Sequence, residues 1–229
     1  TLRFRINSTI AYSGALLGLE DAEKAKIVFN GNDIPNDIVG WFTDKDIKTV
    51  RLSDIKQGEN ILEITIPIGK RTNTEWCYLL GDFGVSVTGR RAQLIPMPEK
   101  IAFGSIVNQG LPFYGGNITY HLEAAGTSLQ IEATRYRGAI IDVKVDGEAK
   151  GDIAYPPYSL DISGLSEGNH KIDVTLYGNR FNCFGAVHMS DANRSWHGPD
   201  AWRTKNDEWS YEYILKEVGI LKSPIIKAE

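Results

Sequence analysis

Ile141-Asp-Val-Lys-Val-Asp-Gly147 alternates apolar and polar residues and stops at Asp-Gly. A period of two puts Ile141, Val143 and Val145 on one face and Asp142, Lys144 and Asp146 on the other, the signature of a half-buried strand. Asp-Gly tolerates the positive backbone angles of a tight hairpin, so the strand should turn back on itself at residue 147. The same alternation runs through Leu62, Ile64, Ile66 and Ile68, and through Ile172, Val174 and Leu176. Strands that bury one face and wet the other build antiparallel sheets packed face to face. Helical periodicity is scarce, and the segment from Asp21 to Lys26 is too short for more than a turn. The pattern predicts an all-β sandwich, and β-branched and aromatic residues at the alternating positions agree with it.

Working outward, the opening stretch has an earlier twin. Lys26-Ile-Val-Phe-Asn-Gly31 matches Asp142-Val-Lys-Val-Asp-Gly147 at a shift of 116, and Leu2, Phe4 and Ile6 match Ile118, Tyr120 and Leu122 at the same shift. Gly58 with Leu62-Glu-Ile-Thr-Ile66 matches Gly168 with Ile172-Asp-Val-Thr-Leu176 at a shift of 110. Tyr78-Leu-Leu-Gly-Asp-Phe-Gly-Val85 falls on Tyr213-Ile-Leu-Lys-Glu-Val-Gly-Ile220 at a shift of 135. Four blocks in one order predict an internal repeat: two tandem antiparallel jelly-roll-like sandwiches, residues 1–97 and 98–229, joined near Pro96-Met97-Pro98. A copy of roughly 100 residues can bury its own core.

The copies differ where the shift jumps from 110 to 135, which places an insertion at about 183–208 in the second. It carries His188, Asp191, Asn193, Arg194, Trp196, His197, Asp200, Trp202, Arg203 and Asp207, with Trp209 at its edge. Loops on a rigid sandwich are where binding residues collect. Aromatic rings beside planar donors and acceptors suit a sugar, whose C–H face stacks on the ring while its hydroxyls take hydrogen bonds. Trp196, His197, Asp200, Trp202, Arg203 and His188 are therefore the candidate carbohydrate contacts. Trp41, in the longer link of the first copy, joins them. The competing reading has the tryptophans pinning the loop onto the sandwich or onto a neighbouring domain. Residues 101–116, rich in glycine and aromatics, read as a loop over a surface.

Other chemistries find little footing. A net charge of −4 with interspersed signs gives no pull toward nucleic acid or an anionic membrane. Two cysteines, Cys77 and Cys183, are too few for a disulfide framework or a thiolate metal site and read as buried free thiols. The acids of the insertion show no spacing that would fix a glycosidase carboxyl pair. The histidines His121, His170, His188 and His197 sit near no nucleophile elbow, and His170, in the turn matching Asn60, reads as a surface residue. No cofactor is expected, though a structural calcium held by loop carboxylates and carbonyls would leave no sequence trace. The chain begins inside an alternating strand without an initiator Met, as an excised fragment would. Bacterial cytoplasm and secretion are both compatible with it.

The assembled features resemble the galactose-binding-like sugar-binding domains of family-2-type glycoside hydrolases. They are a strand ending in Asn-Gly or Asp-Gly, a short acid-bearing strand (Leu52-Ser-Asp54; Leu160-Asp-Ile162), a Gly-Glu-Asn or Gly-Asn-His turn, and an Ile-Thr-Ile-type strand. Gly178-Asn-Arg-Phe-Asn-Cys-Phe-Gly-Ala-Val-His188, Gly198-Pro-Asp-Ala-Trp-Arg203 and Trp209-Ser-Tyr-Glu-Tyr-Ile-Leu-Lys216 are similar to the C-terminal region of large bacterial glycosidases. Members often carry a second His after the Gly, where this chain has Ala186-Val187-His188. The resemblance implies a non-catalytic accessory module that binds carbohydrate or shapes a substrate cleft, or else only buttresses an upstream catalytic domain of the same polypeptide.

Overall fold

A computed structural model describes residues 1–70, 77–191 and 206–228. The chain divides into two compact units, Thr1–Ser86 with Ala92–Pro98 and Val87–Arg91 with Glu99–Glu229. The first contains β1 (Leu2–Ser8), β2 (Leu16–Glu20), β3 (Lys26–Phe29), β4 (Asn32–Ile34), β5 (Ile38–Phe42), β6 (Asp44–Arg51), β7 (Gly58–Thr65) and β8 (Tyr78–Leu80); β9 (Gly84–Thr88) and β10 (Arg91–Ile95) follow. Between Asp21 and Lys26 only a single 3-10 turn forms, Ala22–Lys24, as the short segment implied. Trp41, expected in a link, stands with Phe42 at the end of β5.

One sheet runs β4-β3-β7-β1-β10-β9 and the other β5-β6-β2-β8. Their inward residues make one core: Ile27 and Phe29 of β3, Leu62 and Ile64 of β7, Leu17 and Leu19 of β2 and Val50 of β6. Both sheets feed that cluster, so the unit is a sandwich held by apolar burial, about 1.5–3 kcal/mol for each large side chain.

The second unit contains β11 (Ile118–Ala125), β12 (Ser128–Glu132), β13 (Tyr136–Arg137), β14 (Ile141–Val145), β15 (Glu148–Ile153), β16 (Ser159–Ser163), β17 (Asn169–Leu176), β18 (Gly219–Ile220) and β19 (Ile225–Ala228). Its sheets run β11-β17-β14-β15 and β16-β12-β19, with a two-stranded β13-β18 piece. Ile172, Val174, Leu176, Val143 and Ile141 meet Leu129, Ile131 and Ile162 in its core.

Strand β7 lies between β3 and β1 in one unit as β17 lies between β14 and β11 in the other. Ile27 faces Ile64 where Val143 faces Val174, so the shifts of 116 and 110 hold strand against strand. The first strand slides by two: Leu2 faces Ile64, whereas Tyr120 faces Val174, giving a shift of 118. Side-chain pairs on the outer face agree. Thr1 and Thr65 hydroxyls lie 2.8 Å apart and those of Thr119 and Thr175 2.9 Å apart; Arg3 meets Glu63 at 3.6 Å where His121 meets Asp173 at 2.7 Å.

The fourth block is corrected. Tyr78–Leu80 is bonded to β2, and the strand bonded in the same way to β12 is Ile225–Ala228, not the segment from Tyr213. Residues 101–116 are a loop broken by one 3-10 turn, Ile106–Gln109, and firmly anchored. Ile106 is fully buried against Leu111 and Val218, the Gly104 and Ile106 N–H groups donate to Ile220 and Val218 carbonyls at 2.7 and 2.9 Å, and the Gln109 side chain bridges Ala102 N–H and carbonyl at 2.8 and 3.0 Å.

Candidate functional site

Of the seven sequence-predicted contacts, Trp196, His197, Asp200, Trp202 and Arg203 lie outside the described residues. His188 and Trp41 are described and fall in different units.

His188 lies in a turn, residues 187–190, that pairs with residues 208–214 in an irregular ribbon of the second unit, with one isolated bridge between Met189 and Trp209. Ser190 N–H donates to the Glu208 carbonyl at 2.8 Å, Ser210 N–H to the His188 carbonyl at 2.7 Å and Ile214 N–H to the Val187 carbonyl at 2.7 Å. Its backbone groups pair with one another rather than with a full sheet. Asn182 anchors it. Buried within the one-turn helix α1 (Phe181–Phe184), its amide donates to the Lys216 carbonyl at 2.8 Å and accepts from Lys216 N–H at 2.9 Å, as a paired strand would.

Aromatic rings follow one another along the ribbon. The His188 ring stacks on Trp209 at 4.8 Å and 23° and tilts against Tyr213 at 4.7 Å; Trp209 meets Tyr211 edge-on at 6.4 Å. Tyr213 in turn meets Phe113 at 5.6 Å. His188 Nδ1–H donates to the Ser210 carbonyl at 3.0 Å, which leaves Nε2 as an acceptor without a hydrogen-bond partner among the described residues. Trp209 stays 39% exposed and Tyr211 76% exposed. Burial raises the Tyr213 phenol above its ordinary range, so that ring is a neutral wall of the cluster. Sequence reasoning stopped at Trp209 as a margin; the signal for Tyr211 and Tyr213 was the alternation in Trp209-Ser-Tyr-Glu-Tyr213, one ring every second residue.

In the first unit Trp41 stands on the edge strand β5, 56% exposed, with Ile38 and Val39 also open. The β5–β6 register shifts twice, between Ile38 and Gly40 and between Trp41 and Phe42. Irregular pairing of this kind re-aims side chains at an edge.

Desolvation pushes both thiols up to about 11, so Cys77 and Cys183 are protonated at neutral pH and poor nucleophiles. No cluster of three or more His, Cys, Asp or Glu able to hold a metal exists among the described residues. No helix among them is long and apolar enough to cross a membrane.

Comparison with known proteins gives no matching family model and no matching curated relative. Solved structures are similar at low identity. A GH2 beta-galacturonidase from Eisenbergiella tayi bound to glycerol is 20% identical with a TM-score of 0.35, over 64% of this chain and 22% of that one. A rhamnosidase from Novosphingobium sp. PP1Y is 15% identical with a TM-score of 0.38, over 98% of this chain and 22% of that one. The Pleurotus ostreatus lectin is 11% identical with a TM-score of 0.24, over 78% of this chain and 67% of that one. The chain thus spans about a fifth of the length of the two glycoside hydrolases.

Proposed function

We propose that this chain is a non-catalytic accessory region of a bacterial glycoside hydrolase, formed by two copies of one galactose-binding-like sandwich (residues 1–97 and 98–229), and that it takes carbohydrate on the aromatic ribbon of the second copy. The observation that carries this is Trp209. Its ring is stacked on His188 at 4.8 Å and still 39% exposed. A ring fixed by a neighbour and left open to water offers a preformed surface for a sugar's C–H face, while His188 Nε2 and the Tyr211 hydroxyl supply an acceptor and a donor. The motifs from Gly178 to His188 and from Trp209 to Lys216, similar to those of bacterial glycosidases, support the same reading.

Glycan-array binding by the whole chain tests it, with Trp209→Ala and Tyr211→Ala beside the parent. At least one glycan should bind, and losing the Trp209 ring should weaken it by about 1–3 kcal/mol, the scale of an aromatic contact. An array without a hit at millimolar glycan would sink it.

A second reading rests on β5. Ile38, Val39 and Trp41 are three large apolar residues open on one edge strand, as expected of a module that packs against the catalytic domain of its parent enzyme. Trp41→Ser would then weaken association with that domain and leave glycan binding intact.

A further inference from the structure

His170 is 2% exposed, on the inward face of β17. Its Nδ1 lies 2.6 Å from Asp146 Oδ2 at the β14–β15 turn, and its Nε2 lies 3.0 Å from the Ser166 carbonyl oxygen in the loop before β17. Both ring nitrogens therefore face acceptors. A neutral imidazole has one N–H and one lone pair, so either tautomer would point a lone pair at an oxygen; only the imidazolium satisfies both contacts. The first unit meets the same need without charge. Asn60 stands at the matching place, accepts from the Asn30 amide at 2.8 Å and donates to the Lys56 carbonyl at 2.8 Å.

We propose that His170 is held as an imidazolium and acts as a proton-dependent latch, tying the β14–β15 turn to the Ser166 loop at mildly acidic pH and releasing that turn as pH rises. The first unit, with its amide pair, has no such dependence at this position. The bond to Asp146, then the Ser166 carbonyl, raises the His170 ring above the ordinary imidazole range. The same bond, with Lys171 N–H at 2.9 Å, lowers Asp146 below the ordinary carboxylate range. A raised base stabilises below its unfolded value and loses that contribution as pH climbs through its folded value; a depressed acid loses its own as pH falls through its folded value. The latch is thus fully closed between roughly pH 4 and 6.5, the ordinary carboxylate and imidazole values.

Other charges around the ring do not take Asp146's place. Glu123 of β11 is engaged by Asn169 at 3.0 Å, Lys150 of β15 acts on Asp146 rather than on the ring, and Lys171 and Glu167 are exposed. From the turn after β11, the Gly126 backbone also favours the charged ring.

The test uses the whole chain and carries an internal control. Lys171 N–H bonds Asp146 Oδ1 at 2.9 Å, and Ile61 N–H bonds Asn30 Oδ1 at 2.9 Å. Hydrogen exchange corrected for intrinsic base catalysis should speed up at Lys171 relative to Ile61 by at least about severalfold between pH 6 and 9, as the latch opens. Nitrogen NMR should keep the imidazolium pattern of His170 to a higher pH than free imidazole keeps it. The double variant Asp146→Asn with His170→Asn, which copies the first unit, should abolish the difference in exchange. A constant Lys171-to-Ile61 ratio, or a His170 that titrates like free imidazole, overturns the latch. The wild-type measurements decide the matter even if the variant fails to fold, and neither depends on whether the chain binds carbohydrate.

Discussion

Asn60 and His170 occupy the same inward position of the central strand in their respective sheets, and each joins the same two things. One is the polar residue of its hairpin turn, Asn30 or Asp146; the other is the carbonyl four residues earlier, Lys56 or Ser166. Around each, the turn residue's backbone N–H also donates to the strand, Asn30 to Ile61 at 2.8 Å and Asp146 to Lys171 at 2.8 Å. A buried polar group must be paired or cost its desolvation, so this position binds three segments together in either chemistry.

Removing Asn60 tests the neutral version. Asn60→Ala strands the Asn30 amide and both the Lys56 N–H and carbonyl, which bond Asn60 at 2.8–2.9 Å. The expected loss is about 1–3 kcal/mol in urea unfolding. A change under a few tenths would mean that water takes over these bonds without cost.

The turns themselves separate backbone strain from packing. Gly31 and Gly147 hold φ of +81° and +86° with nothing near an added Cβ, so Gly31→Ala and Gly147→Ala should each cost about 1 kcal/mol. Gly138→Ala should cost more, about 1–3 kcal/mol from overpacking, because its Cβ would meet Leu176 Cδ1 at 2.6 Å and the Tyr177 carbonyl at 2.7 Å. Equal losses at all three sites would count against this distinction; thermal denaturation measures it.

Phe29 is fully buried between the sheets of the first unit. Phe29→Ala should destabilise it by about 3–5 kcal/mol, with Phe29→Leu far milder because most of the volume is kept. Chemical denaturation of the pair gives the ratio.

The thiols provide a kinetic prediction. With both pushed up to about 11, Cys77 and Cys183 expose little thiolate at pH 8. Alkylation by iodoacetamide should run at least about tenfold slower than for a free cysteine and should rise roughly tenfold per pH unit through pH 10. A rate equal to that of free cysteine would remove the desolvation argument.

Much of this architecture was legible because its signals are local. Alternation and the Asn-Gly and Asp-Gly turns depend on a few adjacent residues, and β3, β7, β14 and β17 lie where those patterns put them. The misplaced features depend on distant partners. An alternating strand matches itself after a slide of two, so Leu2 against Ile118 looked as good as Leu2 against Tyr120, and only the facing residues on β7 and β17 decide. The Tyr78 and Tyr213 segments share a similar run of side chains, yet the bond to β2 or β12 tells which is the equivalent strand. His170 read as a surface residue because it falls in the turn matching Asn60; cross-strand register opposite Ala124 turns it inward. At the candidate site, Trp209 and His188 were visible as residue types, whereas their stacking depended on the ribbon pairing 187–190 with 208–214.

The Asn30-Gly31 turn also sets how the first unit ages. An asparagine before glycine is prone to deamidation, because the following backbone nitrogen reaches the side-chain carbonyl with little obstruction, and here nothing crowds Gly31. Conversion of Asn30 to aspartate would keep the acceptor for Ile61 N–H but replace the amide that donates to Asn60 with an oxygen, setting carboxylate against carbonyl. Slow chemistry at one side chain would thus make the first unit imitate the second while lacking the histidine that such an acid requires.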